Sequence, residues 1–209
     1  MTLEYGQARL VADEFIDLIR DHCARVEVVG SIRRKRPVVH DIDIVAMPVD
    51  RKIAQRTWFG DVWKSMPTLH AEIDDLLRAG VLEKVVKKDG HTMVGDTIAM
   101  VEYKGVHVDL YYATPETWGG LMLVRTGSVE HNIVMTSRAK ERGWILKADG
   151  TGVWDSRPQP KPRLQKPGMD VYAVGDRPLP KRIDDGTEEG IFKVLGVPYR
   201  EPPLREVPK

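Results

Sequence analysis

The chain has 209 residues, a formal net charge of +1 at pH 7 and 42% hydrophobic residues. This length suits one domain or two small lobes with a real core, and the near-neutral charge excludes a polycation that binds its partners through overall charge. The only cysteine, Cys23, excludes internal disulfides and cysteine-based zinc sites. No signal peptide opens the chain and no apolar run is long enough to span a membrane, so we expect a soluble, intracellular protein.

Hydrophobic spacing in the first half of the chain predicts a sheet with helices packed against it. Helices are predicted over residues 3–23 and near 68–79, and strands over 26–29, 42–47, 81–88, 92–94, 97–103 and 106–112. A polar, Trp-containing segment follows Pro48, and no helix or strand is assigned to it. Strands flanked by helices, with hairpins late in the sheet, indicate an α+β (mixed α/β) fold with a mixed sheet.

The pattern of predicted elements changes near Ala113, where we expect a second, smaller α+β unit to begin. Helices are predicted from Pro115, with Thr114 as N-cap, and over 128–142 and 187–195. Short strands are expected around 144–154 and 171–174, on either side of a Pro-rich, basic segment at 157–168. We therefore predict two units, residues 1–112 and 113–209.

Three carboxylates fall on predicted strands of the first unit. In the run from Asp41 to Ala46 side chains alternate, so Asp41 and Asp43 point to one face while Ile42 and Ile44 point into a core. Asp109 lies in a second β-prone run and can join them if the two strands pair. Three close carboxylates repel one another unless cations neutralise them, and Mg²⁺ prefers carboxylate and phosphate oxygen. The pattern therefore predicts a magnesium centre for nucleotide transfer.

A glycine-containing turn precedes these acids. Gly30 and Ser31 directly follow a strand, so the backbone there can approach an anion while Ser31 and Arg34 bind it. The sequence predicts a triphosphate cradle. The basic run at 33–36 has two other interpretations: a solvated loop, or a patch of the nuclear-localisation type.

These residues carry a resemblance to a known family. Gly30-Ser31-x-Arg33-Arg34 followed by Asp41-x-Asp43 resembles the signature of family X DNA polymerases, the polymerase-beta group. Three later segments resemble further motifs of that family: 108–110, 126–132 and 188–202. The resemblance implies a nucleotidyltransferase palm over 1–112 and a C-terminal nucleotide- and DNA-binding subdomain over 113–209. The layout resembles the small viral two-subdomain members, so we expect no lyase activity on abasic sites.

The resemblance implies a DNA-directed DNA polymerase for gap filling or DNA repair. Asp41, Asp43 and Asp109 would be the catalytic and metal-binding residues and would hold two Mg²⁺ ions, for which Mn²⁺ can substitute. The implied partners are primer-template or gapped DNA and deoxynucleoside triphosphates, with ribonucleotides as an open alternative. We expect a monomer that works in the cytoplasm or nucleoid.

By the same resemblance, nine residues would contact the nucleotide: Gly30, Ser31, Arg34, His40, Val124, Arg125, Gly127, Ser128 and Asn132. Some of them depart from the family pattern. His40 replaces a small residue, and Val124-Arg125 replaces an aromatic pair that packs against the sugar. Thr136 stands where a template-contacting arginine is frequent. These departures leave sugar selectivity and fidelity open.

Locally clustered basic residues predict where the protein binds DNA. The predicted DNA-binding residues are His107, Arg157, Lys161, Arg163 and Lys166. Prolines keep such a segment extended, so its cations could follow a phosphate backbone; the alternative is a solvated loop.

Two alternative functions stay open at this point. One is a template-independent or non-DNA nucleotidyltransferase on the same palm. The other is a non-catalytic DNA-binding module, against which the presence of all three acids argues.

Overall fold

The structure is a computed structural model that describes residues 2–58, 60–87, 90–157 and 181–206. The helices in this part of the chain are α1 (Tyr5–Ile19), α2 (Gly30–Arg33), α3 (Thr68–Arg78), α4 (Trp118–Thr126), α5 (Val129–Glu141) and α6 (Glu188–Val194), with 3₁₀ turns at Arg20–His22 and Pro202–Arg205. The strands are β1 (Leu3–Glu4), β2 (Cys23–Val28), β3 (Val38–Val39), β4 (Ile42–Pro48), β5 (Asp50–Thr57), β6 (Gly60–Pro67), β7 (Glu83–Lys84), β8 (Ile98–Tyr103), β9 (Val106–Tyr112), β10 (Trp144–Lys147), β11 (Gly152–Asp155) and β12 (Lys181–Arg182).

A five-stranded mixed sheet organises the first half of the chain. Its strand order is β2-β4-β9-β8-β7, and β4 and β9 run parallel while every other pair in it is antiparallel. The register of the parallel pair places Asp43 beside Asp109. The predicted α+β fold with a mixed sheet and flanking helices is confirmed.

The two faces of this sheet are covered by different helices. Ile42 and Ile44 alternate with Asp43 along β4 and are fully buried in a core shared with α1 and α3. The apolar residues of α1 recur at helical spacing on its buried side: Ala8, Ala12, Phe15, Ile16 and Ile19. The opposite face carries Val45 and Tyr111 and packs against α4. Asp43 and Asp109 lie on the α4 side because side chains alternate along a strand.

The second half of the chain builds a core of its own. Leu123, Met135, Val153 and Phe192 come from α4, α5, β11 and α6 and are all buried in one cluster. A three-stranded sheet of order β10-β11-β12 flanks it. The boundary at residue 112 stays a prediction.

Helix α4 is held close to two backbone segments by a pair of glycines. A Cβ at Gly119 would collide with the carbonyl of Gly186, and a Cβ at Gly120 would collide with the carbonyl of Gly150. Both obstacles are backbone atoms, which cannot turn aside as a flexible side chain can. Glycine is therefore required at both positions for α4 to sit between these loops.

We expect Gly120→Ala to lower the free energy of unfolding by about 1–3 kcal/mol, because the added methyl forces backbone to shift. Gly6→Ala is the matched control, since a Cβ there meets nothing within 4 Å and α1 is otherwise a regular helix. That control is expected to gain about 0.5–1 kcal/mol. Urea unfolding of both variants measures the difference, and equal stabilities would contradict the packing of α4.

The structure corrects several predicted elements. The Trp-containing segment after Pro48, for which no helix or strand was predicted, forms the β5–β6 hairpin. In the described part of the predicted strand over 81–88, Glu83–Lys84 pairs with β8 and Val86 forms an isolated bridge to Thr92, while Val94 of the predicted strand over 92–94 forms an isolated bridge to Ala99. β7 lies at the edge of the five-stranded sheet and has β8 as its neighbour on one side, so fewer of its backbone groups pair than in a central strand.

The start of α4 also differs from the prediction. Thr117, and not Thr114, is the N-cap, because the two threonines first close a turn in which the Thr114 amide donates to Thr117 Oγ1 (2.8 Å). The predicted strand over 171–174 lies outside the described residues. Within the described ranges, no helix is long and apolar enough to cross a membrane.

Candidate active site

The site forms where β4 begins, beside the middle of β9, on the face of the sheet that packs against α4. The parallel register sets the backbones of Asp43 and Asp109 side by side, one strand spacing apart. Both side chains are half-buried, whereas Asp41, two residues before Asp43, is exposed. The sheet thus brings two of the three predicted acids together and leaves the third at its rim.

Gly30 closes one side of this acidic centre. Its φ of +60° is in the left-handed region, and a Cβ there would collide with Asp43 Oδ2. The preceding residue, Val29, donates its amide to the Asp43 carbonyl (2.8 Å). Only glycine therefore allows the turn after β2 to lie against the Asp43 carboxylate.

The surroundings of Asp43 make its ionised form unfavourable. Burial, followed by the negative charges of Asp41 and Asp109, raises the pKa of Asp43 to about 7. Arg125 and Arg34 act in the opposite direction but do not offset these effects. A carboxyl group with such a pKa is incompletely ionised at neutral pH, and a bound cation would favour its charged form.

Asp109 is better supplied with partners. Its Oδ1 lies 2.7 Å from His107 Nε2, and its Oδ2 accepts a hydrogen bond from the Tyr111 hydroxyl (3.2 Å). All three residues point to the same face because they alternate along β9. These contacts fix the orientation of the Asp109 carboxylate.

The donor chemistry of this centre fits a hard divalent cation. Carboxylate oxygens are what Mg²⁺ prefers, and the three acids leave negative charge uncompensated around Asp43. In the described part of the chain, however, no three His, Cys, Asp or Glu side chains already stand in metal-binding geometry. The metal-ligand set Asp41, Asp43 and Asp109 stays a prediction.

The two polar residues of the predicted phosphate cradle have different surroundings. Ser31 Oγ is buried and has no hydrogen-bond partner among the described residues. Arg34 is already engaged, because its Nε donates to Glu206 Oε1 (2.6 Å) and its Nη1 donates to the Thr126 carbonyl. Ser31 thus offers a free hydroxyl, while Arg34 must exchange a carboxylate to reach a phosphate.

A buried ion network that we did not predict joins the two halves of the chain. Glu188 of α6 accepts two hydrogen bonds from Arg33, at 3.0 and 2.7 Å, and one from Arg205 at 2.6 Å. Arg33 also donates to Thr126 Oγ1 (2.7 Å) and to the carbonyl of Met122. Arg33 therefore has a structural role, whereas its neighbour Arg34 is the predicted phosphate ligand.

The segment between α4 and α5 faces the cradle. Gly127 has a φ of +70°, its peptide bond to Ser128 is cis, and a Cβ on it would approach Arg34 Nη1 at 3.1 Å. Ser128 caps α5 and donates its hydroxyl to the Arg205 carbonyl (3.0 Å). Asn132 Nδ2 donates to the Val124 carbonyl (2.8 Å), which leaves its buried Oδ1 without a partner within the described ranges.

His131 lies buried behind this segment, against the ring of Phe192. Burial, aided by the charge of Arg205, lowers the pKa of His131 from 6.5 to about 4. Between these two values the unfolded chain binds more protons than the folded one, so the free energy of unfolding falls as pH decreases.

We expect His131→Phe to remove about 1–2 kcal/mol of the stability loss between pH 7 and pH 5, because this variant has no imidazole to protonate on unfolding. Urea unfolding at the two pH values measures the loss. An identical loss in the variant and the wild-type protein would contradict the assignment.

The predicted DNA contacts are only partly within the described residues. His107 faces Asp109, as above, and Arg157 is paired with Asp155 (2.6 Å). Exposed His40, a predicted nucleotide contact, lies 3.3 Å from the Thr2 hydroxyl. Lys161, Arg163 and Lys166 lie outside the described residues. The assignments of all five DNA-binding residues and of His40 stay predictions.

Comparisons with known proteins agree on the fold. No curated protein sequence matches the chain. Residues 121–206 match a family model described as DNA polymerase beta thumb. The structure is similar to Leishmania infantum polymerase beta in a ternary P/T complex, with a TM-score of 0.62, 18% identity, and coverage of 99% of this chain and 77% of that one. It is also similar to that protein in a ternary gap complex, with a TM-score of 0.65, 18% identity, and coverage of 99% and 71%.

At 18% identity the structural likeness concerns the fold alone. The family model adds a match to one named domain, the polymerase beta thumb. The thumb match covers α4 from Leu121 onward, the segment between α4 and α5, and the Glu188–Arg205 pair. These findings support the resemblance to family X DNA polymerases: the chain has a polymerase beta fold, and residues 121–206 match the polymerase beta thumb.

Proposed function

We propose that the protein is a DNA-directed DNA polymerase that adds nucleotides to a primer 3′-hydroxyl in gap filling or repair. The observation that carries this proposal is the pairing of Asp43 with Asp109 on parallel strands, beside the Gly30 turn and within a polymerase beta fold. Two carboxylates on neighbouring strands, next to a glycine turn with an available hydroxyl, are an arrangement that metal-assisted nucleotidyl transfer can use.

The triphosphate would bind at the turn after β2. Ser31 would donate its hydroxyl, which is buried without a partner in the described structure, to a phosphate oxygen. Arg34 would exchange the Glu206 carboxylate for phosphate, since a guanidinium forms charge-assisted hydrogen bonds equally well with either. Nucleotide binding would thereby loosen the contact between Arg34 and the C-terminal segment.

Asp41, Asp43 and Asp109 would hold two Mg²⁺ ions, which when bound lower the pKa of the primer hydroxyl and neutralise the triphosphate. Asp109 is oriented by His107 and Tyr111 and would accept the proton of the primer 3′-hydroxyl. The primer oxygen then forms a bond to the α-phosphorus as the bond to pyrophosphate breaks. Asn132, held by the Val124 carbonyl, would keep the nucleotide in place.

The partners of this reaction are gapped or primer-template DNA and deoxynucleoside triphosphates, and we propose that the protein acts as a monomer. His107, Arg157 and the basic residues Lys161, Arg163 and Lys166 are proposed to contact the DNA backbone. Their contacts would be salt-dependent because phosphate binding releases counterions.

Extension of labelled primers tests the proposal. A gapped duplex, an open primer-template and an unpaired primer are each incubated with Mg²⁺ and either deoxy- or ribonucleoside triphosphates. We expect Mg²⁺-dependent addition of the template-matched deoxynucleotide to the two paired substrates. Addition to the unpaired primer at the same rate would instead indicate a template-independent transferase, and no addition to any of them would contradict the proposal.

A further inference from the structure

Arg125 connects the acidic centre with the β10–β11 hairpin. Its guanidinium carbon lies 4.2 Å from the centroid of the Tyr111 ring, and its Nη2 donates to the Ala148 carbonyl (3.4 Å). The Nε atom is buried and has no hydrogen-bond partner in the described part of the chain. The side chain therefore packs across the sheet instead of extending from α4 into solvent.

Tyr111 carries this contact to the carboxylates. The face of its ring attracts the Arg125 cation, and the same ring directs its hydroxyl at Asp109 Oδ2 (3.2 Å). Fixing the ring from above also fixes the direction of the hydroxyl, because both belong to one rigid plane. A chain of contacts thus runs from α4 through Tyr111 to Asp109.

Arg125 also compensates charge. Its guanidinium lies over the Tyr111 ring, whose hydroxyl reaches Asp109, and the strand register places Asp109 beside Asp43. Arg34 is already paired with the Glu206 carboxylate, whereas the polar partner of Arg125 is a neutral carbonyl. Arg125 therefore places a positive charge beside the acidic centre.

We propose that Arg125 is a positioning residue of this centre: it holds the Tyr111 hydroxyl on Asp109 and supplies the counter-charge of Asp43 while no cation is bound. The inference rests on the proposed function, because it concerns the carboxylates that would take Mg²⁺. A cation and the guanidinium then compete for the same negative charge. A cavity of about 840 Å³, bordered by Tyr111, Arg125 and Asp149, gives the guanidinium room to withdraw.

The positioning role is tested without metal. Arg125→Leu, Tyr111→Leu and the double variant are melted in the presence of a chelator. Because either single variant breaks the same stacked contact, we expect the Tm loss of the double variant to be smaller than the sum of the single losses. Strict additivity would overturn the contact between the two side chains.

The counter-charge role is tested by calorimetric titration of Mg²⁺ into the full chain at pH 8.5, without nucleotide or DNA. We expect Arg125→Leu to bind Mg²⁺ about tenfold more tightly than the wild-type protein, since a nearby positive charge is removed. Arg125→Lys keeps that charge and should stay within about twofold of the wild-type affinity. Arg142→Leu removes a similar arginine that lies over Trp144, away from the acids, and should leave the affinity unchanged.

The outcomes separate this inference from the proposed function. Unchanged or weaker Mg²⁺ binding by a folded Arg125→Leu variant, as judged by circular dichroism, would overturn the counter-charge role. Equal Mg²⁺ binding by the wild-type protein and Asp43→Asn would instead contradict the proposed metal site. In that case the metal-free melting cycle decides the role of Arg125, since non-additive losses support it and additive losses overturn it.

Discussion

Replacing Asp43 by asparagine is expected to abolish nucleotide addition and, at the same time, to raise the thermal stability of the metal-free protein at pH 8. The loss in rate should be about a thousandfold or more, because a lost metal ligand removes several kcal/mol of transition-state stabilisation. The gain in stability follows from the pKa of Asp43, which is raised to about 7 by burial and by Asp41 and Asp109. Function and stability therefore make opposite demands on this residue.

The sign of the stability effect is set by linkage. A carboxyl group whose pKa is raised on folding stabilises the protein below its unfolded pKa of about 4, and this contribution is lost as pH rises through about 7. Asp43→Asn cannot ionise, so its Tm should fall less between pH 5 and pH 8 than that of the wild-type protein. Melting both proteins in a chelator measures this.

A carboxylate on the neighbouring strand provides the control for this prediction. Glu102 of β8 is exposed, so Glu102→Gln should leave both the rate of primer extension and the pH dependence of Tm unchanged. If Asp43→Asn extended primers at the wild-type rate, the proposed catalytic role of Asp43 would be contradicted.

Glu188→Gln is expected to have the largest effect on stability. Glu188 and Arg205 are almost completely buried, and the glutamate also pairs with Arg33 across the two halves of the chain. The neutral amide would leave two arginines without their counter-charge, which costs about 3–5 kcal/mol when a buried pair is broken. Urea unfolding measures the loss.

The adjacent residue offers a matched control for this second prediction. Glu189 follows Glu188 in the first turn of α6 and is exposed, so Glu189→Gln should lose no more than about 0.5 kcal/mol. Equal unfolding free energies for the two variants would show that the Arg33–Glu188–Arg205 network adds no stability.

The strands that carry the acids were predictable because their residues alternate between core and site. β4 was expected over 42–47 and β9 over 106–112, and the structure gives Ile42–Pro48 and Val106–Tyr112. Alternation also placed Asp43 and Ile44 on opposite faces correctly. The strand register, by contrast, depends on a parallel pairing between strands more than sixty residues apart. Local sequence patterns do not predict such a pairing.

What the sequence did not reveal are interactions between distant parts of the chain. Arg33 and Glu188 are 155 positions apart, so nothing local signals that they pair. Arg34 was predicted to face phosphate alone and instead has Glu206 as a partner. The sequence offered two hints. Arg33 stands beside the predicted phosphate ligand Arg34, and Glu188 opens a helix next to apolar residues.

The packing of α4 was equally hidden. The pair Gly119-Gly120 weakens a helix by propensity alone, and its purpose becomes clear only from the carbonyls that approach it. The β5–β6 hairpin escaped prediction because its strands lack clear alternation of apolar and polar residues. In α4, tertiary contacts overrode the local signal.

The most direct test of this account is single-turnover incorporation on a one-nucleotide gapped duplex with Mg²⁺, comparing the wild-type protein with Asp109→Asn. We predict that the wild-type protein adds one template-matched deoxynucleotide and releases one pyrophosphate, and that Asp109→Asn loses this activity while remaining folded. Incorporation by Asp109→Asn at the wild-type rate, or addition by the wild-type protein without regard to the template base, would contradict it.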